Sequence, residues 1–494
     1  MVLAPDDKIT FGKKHRGETY ANVWKSDRQY IEWLARESFM GDVRAVAGSF
    51  GHLLQTDEPT LNESDVSVSD VDISSIDVSK LYAHQVDGVK FIEGTGGRCI
   101  LADEMGLGKT VQVIQYMNLH PSQKTVVVCP ASLKLNWEHE LNVWLDRDRS
   151  IQVLSGRKNK AITGDIIIVN YDILNAHKDA LQSCGASLVV ADESHYAKNQ
   201  KSQRTKALAG LCKNIDHTIL LSGTPFKSRP IELFTQLNCV DPATWNDFFG
   251  FAKKYCAARK ITMGGVNKPK RSFWDFSGAS NLSALAHELK PIRLRRTKEQ
   301  VMDLPAKMSQ VVYLSCDRKE YNRVERASAV DNPLMHNTEL IMASMRAKIK
   351  PTIEYIGNIL EQADKLIVFC THNDMIDALA EKYTGISVLF RGGMDARAKD
   401  DAVSRFQIDP ECKLFLGNVQ AAGVGITLTA ASHVVFAETP WSPADVDQAA
   451  DRAHRIGQTE VVNVYHLCVP DTIDEHIVET VAAKREVFNA AMCV

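Results

Sequence analysis

The most specific chemical signal in the sequence is a glycine-rich loop that ends in lysine and threonine. The loop, LADEMGLGKT (101–110), follows an apolar run and precedes a helical stretch, which is the context of a phosphate-binding loop. Its glycines let backbone N–H groups close around phosphate oxygens, and the start of the helix adds a partial positive charge. In such a loop Lys109 binds the β- and γ-phosphates of a nucleotide, and Thr110 holds Mg²⁺. The predicted nucleotide contacts here are Asp103, Glu104, Met105, Gly106, Leu107, Gly108, Lys109 and Thr110.

One position of this loop departs from the full pattern. The pattern G-x-x-x-x-G-K-[ST] has a glycine five residues before Gly108, and this chain has Asp103 there. The alternative interpretation is a chance match to GxGK[ST]. The order of apolar run, loop and helix favours the nucleotide site.

A pair of acids ends a later apolar run, SLVVADESH (187–195). A nucleotide-hydrolysing enzyme needs a carboxylate at the end of a strand to hold Mg²⁺, and a group that orients the attacking water. We assign Asp192 to the metal and Glu193 to the water. Taken alone, such a pair is more often a turn that caps a helix. Its position some eighty residues after a phosphate loop favours the catalytic interpretation.

A third apolar run, LLSGTP (220–225), ends in small hydroxyl residues. Ser222 and Thr224 could relay the state of the nucleotide to DNA contacts. The alternative is an ordinary exit from a strand into a turn.

These motifs belong to two series of short apolar runs that alternate with helical stretches. Runs of this length that are apolar throughout favour a parallel sheet covered on both faces, and the alternation favours doubly wound α/β domains. The first series is 99–103, 125–130, 165–171, 187–193 and 217–225, and the second is 365–372, 386–393, 412–418, 433–438 and 461–469.

The chain divides into six predicted segments. They are a small N-terminal module (1–55), an acidic linker (56–78), a first ATP-binding lobe (79–240), a helical insertion and connector (241–345), a second lobe (346–470) and a C-terminal helix (471–494). The N-terminal module could dock DNA, bind a protein partner or pack on the first lobe. The linker is rich in Ser and Asp and is expected to be a tether or an extended strap.

Composition limits the class of protein without naming it. The 494 residues are 45% hydrophobic and 24% charged, with a formal net charge of −3, which is ordinary for a globular protein of two or three domains. The 11 cysteines form no CxxC pair, so zinc sites and disulfide frameworks are not expected. Because no apolar run reaches a membrane span and the start lacks a secretory signal, we expect a soluble cytoplasmic protein. The charge balance neither favours nor excludes DNA, because a basic stripe is sufficient.

Four motifs in this order resemble the Swi/Snf-type ATPases of helicase superfamily two. They are DEMGLGKT, DESH, LLSGTP and QAADRAHRIGQ (448–458). The resemblance covers roughly 79–490, and VNYDIL, ADESHYAKN and the TLTAAS run are most similar to the annealing-helicase branch. It implies two RecA-like, doubly wound parallel-sheet lobes that use ATP and Mg²⁺.

The resemblance also implies nucleotide contacts outside the phosphate loop. Leu81 would pack near the adenine and Gln85 would read its edge, while Gly425 and Gln448 would line the cleft. Arg452 and Arg455 would act as arginine fingers, because charge builds on the γ-phosphate during transfer and a guanidinium stabilises it. Without the resemblance, DRAHR would be interpreted as a solvated helix with charge pairs.

DNA contacts are implied on one face of each lobe. They would track the backbone through amides, hydroxyls and a few basic groups, without reading bases. Ordinary packing is the alternative interpretation of Trp441. The basic stretch 252–273 could also contact DNA, and the alternative is that it is a solvated face. The implied contacts are Pro130, Ser132, Asn170, Tyr171, Thr224, Arg391, Gly392 and Trp441.

Together these features predict an ATP-dependent translocase on double-stranded DNA that remodels or anneals branched DNA or displaces bound proteins. The alternatives are a strand-separating helicase and a nucleotide-gated scaffold that binds DNA with little turnover. We expect a monomer that binds duplex or branched DNA, with no membrane association. The lack of a histone-tail reader or zinc finger favours a compact bacterial or phage-like form associated with the nucleoid.

Overall fold

The computed structural model describes residues 71–157, 161–263, 271–302, 304–327, 333–422, 425–455 and 457–492. The chain divides into two compact units. The first lobe contains the described residues from 71 to 302 together with 487–492, and the second lobe contains Leu304–Glu486. Each lobe is an α/β domain built on one parallel sheet, as predicted.

The first lobe is built on a seven-stranded sheet whose strand pairs are all parallel. Its order is β3-β4-β2-β5-β6-β1-β9. Every side chain of β2 and β4, TVVVC and IIIVN, is buried, because helices cover both faces of a parallel sheet. The strands are β1 (Arg98–Leu101), β2 (Thr125–Cys129), β3 (Ile151–Val153), β4 (Ile166–Asn170), β5 (Leu188–Asp192), β6 (His217–Leu221) and β9 (Arg293–Leu294).

The helices of this lobe lie mainly between successive strands. They are α1 (Ala83–Gly94), α2 (Lys109–Leu119), α3 (Lys134–Trp144), α4 (Tyr171–Leu174), α5 (Lys178–Ser183), α6 (Gln203–Cys212), α7 (Phe234–Val240), α8 (Phe248–Tyr255), α9 (Leu282–Leu289) and α10 (Lys298–Val301). Among them, α6 begins at a side-chain cap, because the Ser202 side chain accepts a hydrogen bond from Thr205 N.

The second lobe is built on a six-stranded parallel sheet of order β10-β15-β14-β11-β13-β12. Its strands are β10 (Lys307–Tyr313), β11 (Leu366–Cys370), β12 (Ser387–Phe390), β13 (Leu414–Asn418), β14 (His433–Phe436) and β15 (Val462–Cys468). Its helices are α11 (Lys319–Arg326), α12 (Pro333–Leu360), α13 (Asn373–Lys382), α14 (Ala396–Ile408), α15 (Val419–Ala422), α16 (Pro443–Ala450) and α17 (Ile473–Met492), whose last residues, from 487 on, belong to the first lobe. Two apolar clusters cover the opposite faces of this sheet.

The middle of the chain differs from the predicted helical insertion and connector at 241–345. It contains helices, but β9 pairs with β1 of the first sheet and β10 pairs with β15 of the second. A two-stranded antiparallel hairpin, β7 (Arg259–Met263) and β8 (Arg271–Asp275), forms a third sheet. The strands of this segment were not predicted because none of the four is apolar throughout, so they lack the apolar runs that mark the buried strands.

The acidic linker is only partly described, and the predicted N-terminal module 1–55 lies outside the described residues. Ile73 and Ile76 are buried and pack with Val89 of α1. The end of the linker is therefore attached to the first lobe by apolar contacts and is not a free tether. Within the described residues, no helix is long and apolar enough to cross a membrane.

Candidate active site

The phosphate-loop motif lies between the end of β1 at Leu101 and the start of α2 at Lys109. Gly106 and Gly108 have φ angles of 90° and 73°, a left-handed conformation that glycine adopts without a steric penalty. A Cβ atom on Gly108 would lie 2.2 Å from Gln85 Nε2. The backbone angle therefore favours glycine at this position, and any larger residue would also displace the Gln85 amide.

Lys109 faces the interior of this loop. Its Nζ donates to the backbone oxygens of Asp103 and Glu104, at 2.6 and 3.2 Å. Burial lowers the pKa of the ammonium, and the negative charges of Glu193, Asp103 and Asp192 oppose that shift. The predicted phosphate-binding lysine and the predicted acidic pair therefore lie within electrostatic range of one another.

The acidic pair lies at the carboxyl end of β5, in the middle of the sheet. Asp192 Oδ2 accepts a hydrogen bond from the buried indole Nε1 of Trp137 at 2.9 Å, and its Oδ1 accepts one from Glu193 N. The Tyr171 hydroxyl donates to the backbone oxygen of Asp192 at 2.8 Å. Burial, followed by the charge of Glu193, raises the pKa of Asp192 to about 6.

Glu193 has a strained backbone, with a φ of 49°, a conformation that non-glycine residues rarely adopt and that is concentrated at functional sites. Its Oε2 lies 3.2 Å from His195 Nδ1, and that nitrogen lies 3.2 Å from Ser222 Oγ. Burial opposes ionisation of Glu193. The hydrogen bond and charge of His195, with the charge of Lys109, outweigh burial and lower the pKa.

A second set of contacts joins the DESH loop to the LLSGTP loop. Ser194 Oγ donates to Gln236 Oε1 at 2.6 Å, and Gln236 Nε2 donates to Pro225 O at 2.5 Å. Ser222 Oγ also accepts a hydrogen bond from Thr224 N at 3.2 Å. Ser222 is therefore linked to Glu193 through His195, and Gln236 of α7, which the sequence motifs did not indicate, links Ser194 to Pro225. The relay from Ser222 and Thr224 to DNA contacts stays a prediction.

Of the two nucleotide contacts predicted around the start of α1, Gln85 lies beside Gly108 of the phosphate loop. Gln85 is buried, and its Oε1 accepts a hydrogen bond from Tyr82 N at 3.1 Å. Leu81 N donates to Val78 O just before the helix begins. Glu104, Met105 and Leu107 form the loop itself.

The predicted arginine fingers converge on one loop of the second lobe. Arg452 Nη1 and Arg455 Nη1 both donate to Ile426 O, at 3.2 and 3.1 Å, and Arg455 Nη1 also donates to Thr427 Oγ1 at 3.0 Å. Gly425 directly precedes Ile426 and Thr427 and has a left-handed conformation, with a φ of 79°. Gln448, the fourth residue implied for this lobe, is buried in α16, about one helical turn before Arg452.

The predicted DNA contacts of the first lobe differ in exposure. Tyr171 is 2% exposed, so its side chain supports Asp192 from inside the lobe and does not offer a surface contact. Asn170 and Pro130 are also buried, whereas Ser132 is exposed. Thr224 Oγ1 is buried and has no hydrogen-bond partner among the described residues.

The predicted DNA contacts of the second lobe are closer to the surface. Gly392 is exposed, and Arg391 Nη2 donates to Asp377 Oδ1 at 2.5 Å. Trp441 packs against the apolar core and meets His476 edge to face at 5.9 Å. Packing, the alternative interpretation of Trp441, therefore describes at least part of its role.

Comparison with known protein families identifies the family to which the chain belongs. The SNF2-related domain matches residues 32–375, and the helicase conserved C-terminal domain matches residues 348–457. The chain belongs to the SNF2-related family. Members of this family are ATPases of helicase superfamily two, and the predicted resemblance to Swi/Snf-type ATPases is confirmed.

The chain is also similar to individual proteins, and the two sequence relatives agree with this assignment. The chain is 34% identical over 426 residues to the human "DNA annealing helicase and endonuclease ZRANB3", covering 80% of this chain and 39% of that protein. It is 32% identical over 431 residues to the Xenopus tropicalis "SWI/SNF-related matrix-associated actin-dependent regulator of chromatin subfamily A-like protein 1", covering 83% and 45%. The chain therefore spans less than half the length of these two relatives. The solved "Sulfolobus solfataricus SWI2/SNF2 ATPase core in complex with dsDNA" is similar with a TM-score of 0.41 and 24% identity, covering 83% of this chain and 92% of that one.

A basic segment that precedes α10 contacts and supports the phosphate loop of this SNF2-related domain, a contact that the sequence did not predict. The carboxylate of Asp103 is fully buried and accepts hydrogen bonds from Arg296 N, Nε and Nη2 at 3.0, 3.0 and 2.5 Å. Arg295 Nη1 donates to Ala102 O and to Gly223 O, at 3.0 and 3.1 Å. Asp103, which replaces the expected glycine, is therefore an anchor for the loop, and its carboxylate is already engaged by protein donors rather than by a nucleotide.

The residues predicted to hold Mg²⁺ fit that ion chemically. Thr110 and Asp192 both offer oxygen, the ligand atom that Mg²⁺ prefers. Each oxygen of Asp192 accepts one hydrogen bond and keeps a second lone pair. Glu193 Oε2 is buried and has no well-aligned hydrogen bond within the described residues, which is consistent with a group that meets water or metal-bound water during turnover.

Proposed function

We propose that this protein is an ATP-dependent translocase on double-stranded DNA that remodels or anneals branched DNA, or displaces proteins bound to it. The observation that supports the proposal most directly is the cluster of Lys109, Asp192 and Glu193 at the carboxyl edge of the first sheet. This set contains the cation and the two carboxylates that hydrolysis of a nucleoside triphosphate requires.

The proposed roles follow from the state of each group. Lys109 binds the β- and γ-phosphates, whose charge favours its protonated form over the neutral form that burial favours. Asp192 and Thr110 hold Mg²⁺, which when bound neutralises phosphate charge and orients the phosphate chain. Glu193, kept ionised by His195 and Lys109, accepts a hydrogen bond from the attacking water at Oε2. The roles of Arg452 and Arg455 as arginine fingers stay predictions.

The link to DNA rests on the family and on the relatives. The names of the two curated relatives refer to DNA annealing and to chromatin regulation. Annealing or fork remodelling is therefore the activity that we propose first. A monomeric state, a bacterial or phage origin and a place at the nucleoid stay predictions from the sequence.

The experiment that tests the proposal is a steady-state ATPase assay with five substrates: no nucleic acid, single-stranded DNA, duplex, forked DNA and RNA. We expect strong stimulation by duplex or forked DNA. Stimulation only by single strands or RNA would instead support a strand-separating helicase, and turnover near zero with every substrate would support the scaffold. A strand-displacement assay on the same forks separates translocation from unwinding.

Two variants test the assigned residues in the same assay. Lys109→Ala should lower kcat about 100-fold or more, and Lys178→Ala, a lysine of α5, is the matched control that should not. Glu193→Gln should bind ATP and stay bound to DNA without hydrolysis. Wild-type turnover in Lys109→Ala, or failure of Glu193→Gln to bind ATP, would contradict the assignment.

A further inference from the structure

The β7–β8 hairpin of the first lobe forms a small sheet separate from the seven-stranded one. Its register pairs Lys260 with Trp274, Ile261 with Phe273 and Thr262 with Ser272. Because side chains alternate across a strand, Trp274 and Lys260 share one face of the hairpin with Ser272 and Thr262. A two-stranded sheet is marginally stable in water unless something packs against it.

An aromatic cluster supplies that packing. Trp274 meets Phe249 of α8 edge to face, with ring centroids 5.7 Å apart, and lies nearly parallel to Phe276 at 6.4 Å. Phe248 meets Phe249 and Phe276 at 5.5 and 5.2 Å. The α8 helix and the hairpin are thus held together by four rings.

These rings are only partly covered. Phe249 is 47% exposed and Trp274 is 37% exposed. Aromatic rings at this level of exposure in contact with each other are unusual on a protein surface and indicate a binding site. Phe273, on the other face of the hairpin, is 48% exposed.

The cluster also has a positive charge beside it. Lys253 Nζ lies 5.9 Å from the centroid of the Trp274 ring, and Lys260 lies opposite Trp274 in the register. Both lysines are exposed, and neither forms an ion pair with the described residues. By contrast, their basic neighbours in sequence form ion pairs: Lys254 with Glu288 at 2.6 Å and Arg259 with Asp275 at 3.1 Å.

We propose that this aromatic–lysine patch, formed by Phe249, Trp274, Lys253 and Lys260, binds unpaired bases of DNA. Exposed rings stack on bases of any sequence, and neighbouring ammonium groups neutralise the adjoining phosphates. Duplex DNA offers no such faces, because its bases are stacked on one another. The patch would therefore hold the single-stranded arm of a branched substrate, which deepens the proposed function and rests on it for the identity of the nucleic acid.

The test measures binding of the full chain without nucleotide, by fluorescence anisotropy. The probes are a labelled oligodeoxythymidylate, a blunt duplex, and a fork with one single-stranded arm. The variants are Trp274→Ala, Phe249→Ala and the conservative Trp274→Phe. The matched control is Val143→Ala, because Val143 is an exposed apolar residue of the same lobe at 57% exposure.

We expect Trp274→Ala and Phe249→Ala each to weaken binding of the oligodeoxythymidylate and the fork about tenfold. Duplex binding and duplex-stimulated ATPase should be unchanged, which also shows that the lobe is folded. Trp274→Phe should keep most of the affinity. The double variant Lys253→Ala/Lys260→Ala tests the charge. For the oligodeoxythymidylate, the slope of log affinity against log salt should become shallower by about 0.7 for each phosphate that a lysine no longer neutralises.

Other outcomes would overturn the proposal. Unchanged affinity for the oligodeoxythymidylate in both alanine variants, or an equal loss for the duplex, would exclude stacking on unpaired bases. Unchanged DNA binding would leave a protein partner as the occupant of the patch. A wild-type ATPase that duplex DNA does not stimulate would refute the translocase without affecting the binding results, so the two failures are distinguishable.

Discussion

The buried pair of Asp103 and Arg296 gives the sharpest quantitative prediction. Replacement of Arg296 by alanine removes the two side-chain hydrogen bonds to Asp103 and a third to His84 O. The fully buried Asp103 carboxylate would keep only Arg296 N and the longer hydrogen bond from Gln112 Nε2 at 3.3 Å. Loss of one partner from a buried ion pair costs about 3–5 kcal/mol of the free energy of unfolding.

For a lobe of this size, such a loss lowers Tm by about 6–20 °C. The measurement is differential scanning calorimetry of the full chain, in which the transition of the first lobe is the one that added nucleotide shifts. Arg259→Ala is the matched control, because its exposed pair with Asp275 should contribute less than about 1 kcal/mol.

A double-mutant cycle shows whether the cost arises from the pair itself. Asp103→Ala should be destabilising as well, because it leaves a guanidinium that is only 12% exposed without its carboxylate. The double variant should lose much less than the sum of the single variants, since neither charge remains. Additive losses within about 0.5 kcal/mol would refute the anchoring of the loop by Asp103 through Arg296.

Three further predictions concern the active site. Because the folded-state pKa of Asp192 is raised from 3.8 to about 6, ionisation of the folded protein becomes unfavourable as pH rises through that window. Asp192→Asn should therefore be more stable than wild type by about 3 kcal/mol above pH 6, and by little below pH 4, in urea titrations, while losing ATPase activity. Gly108→Ala should weaken nucleotide binding in a fluorescent-ATP assay, because a φ of 73° is strained for alanine and a Cβ would also displace the Gln85 amide, 2.2 Å away. Tight binding would show that the loop can rearrange. Tyr171→Phe should lower the free energy of unfolding by about 1 kcal/mol, because it removes the hydrogen bond to the backbone oxygen of Asp192. It should also lower kcat while KM changes less. An unaltered kcat would argue against a supporting role of Tyr171.

The sheets could be predicted well because parallel strands leave a strong signal. The runs at 125–130 and 365–372, for example, became β2 and β11, whose side chains are all buried. By contrast, β9 has only two residues, Arg293 and Leu294, amid basic neighbours, and no local pattern distinguishes it from a solvated segment. Its position depends on pairing with β1, which is a tertiary contact.

The candidate site was predicted in the same uneven way. Lys109, Asp192 and Glu193 were identified because loop motifs between strands and helices have a fixed spacing. Trp137, which supports Asp192 from 55 residues away, and Gln236, which joins two loops, carry no local pattern. Partners that act through the folded sheet cannot be recognised from spacing along the chain.

The edge position of β9 also has a consequence for how the chain matures. The backbone of Arg296 reaches Asp103 across 193 residues of sequence, so the nucleotide loop stays incomplete until a late part of the chain has been made. Until then β1 has an unpaired edge, a state that favours aggregation, and closure of so long a loop is slow. A fragment that stops near residue 240 would contain every predicted phosphate-binding residue and still lack the strand that finishes the fold. Synthesis of this enzyme would therefore pass through a nearly complete first lobe whose sheet and nucleotide loop depend on a distant, later part of the same chain.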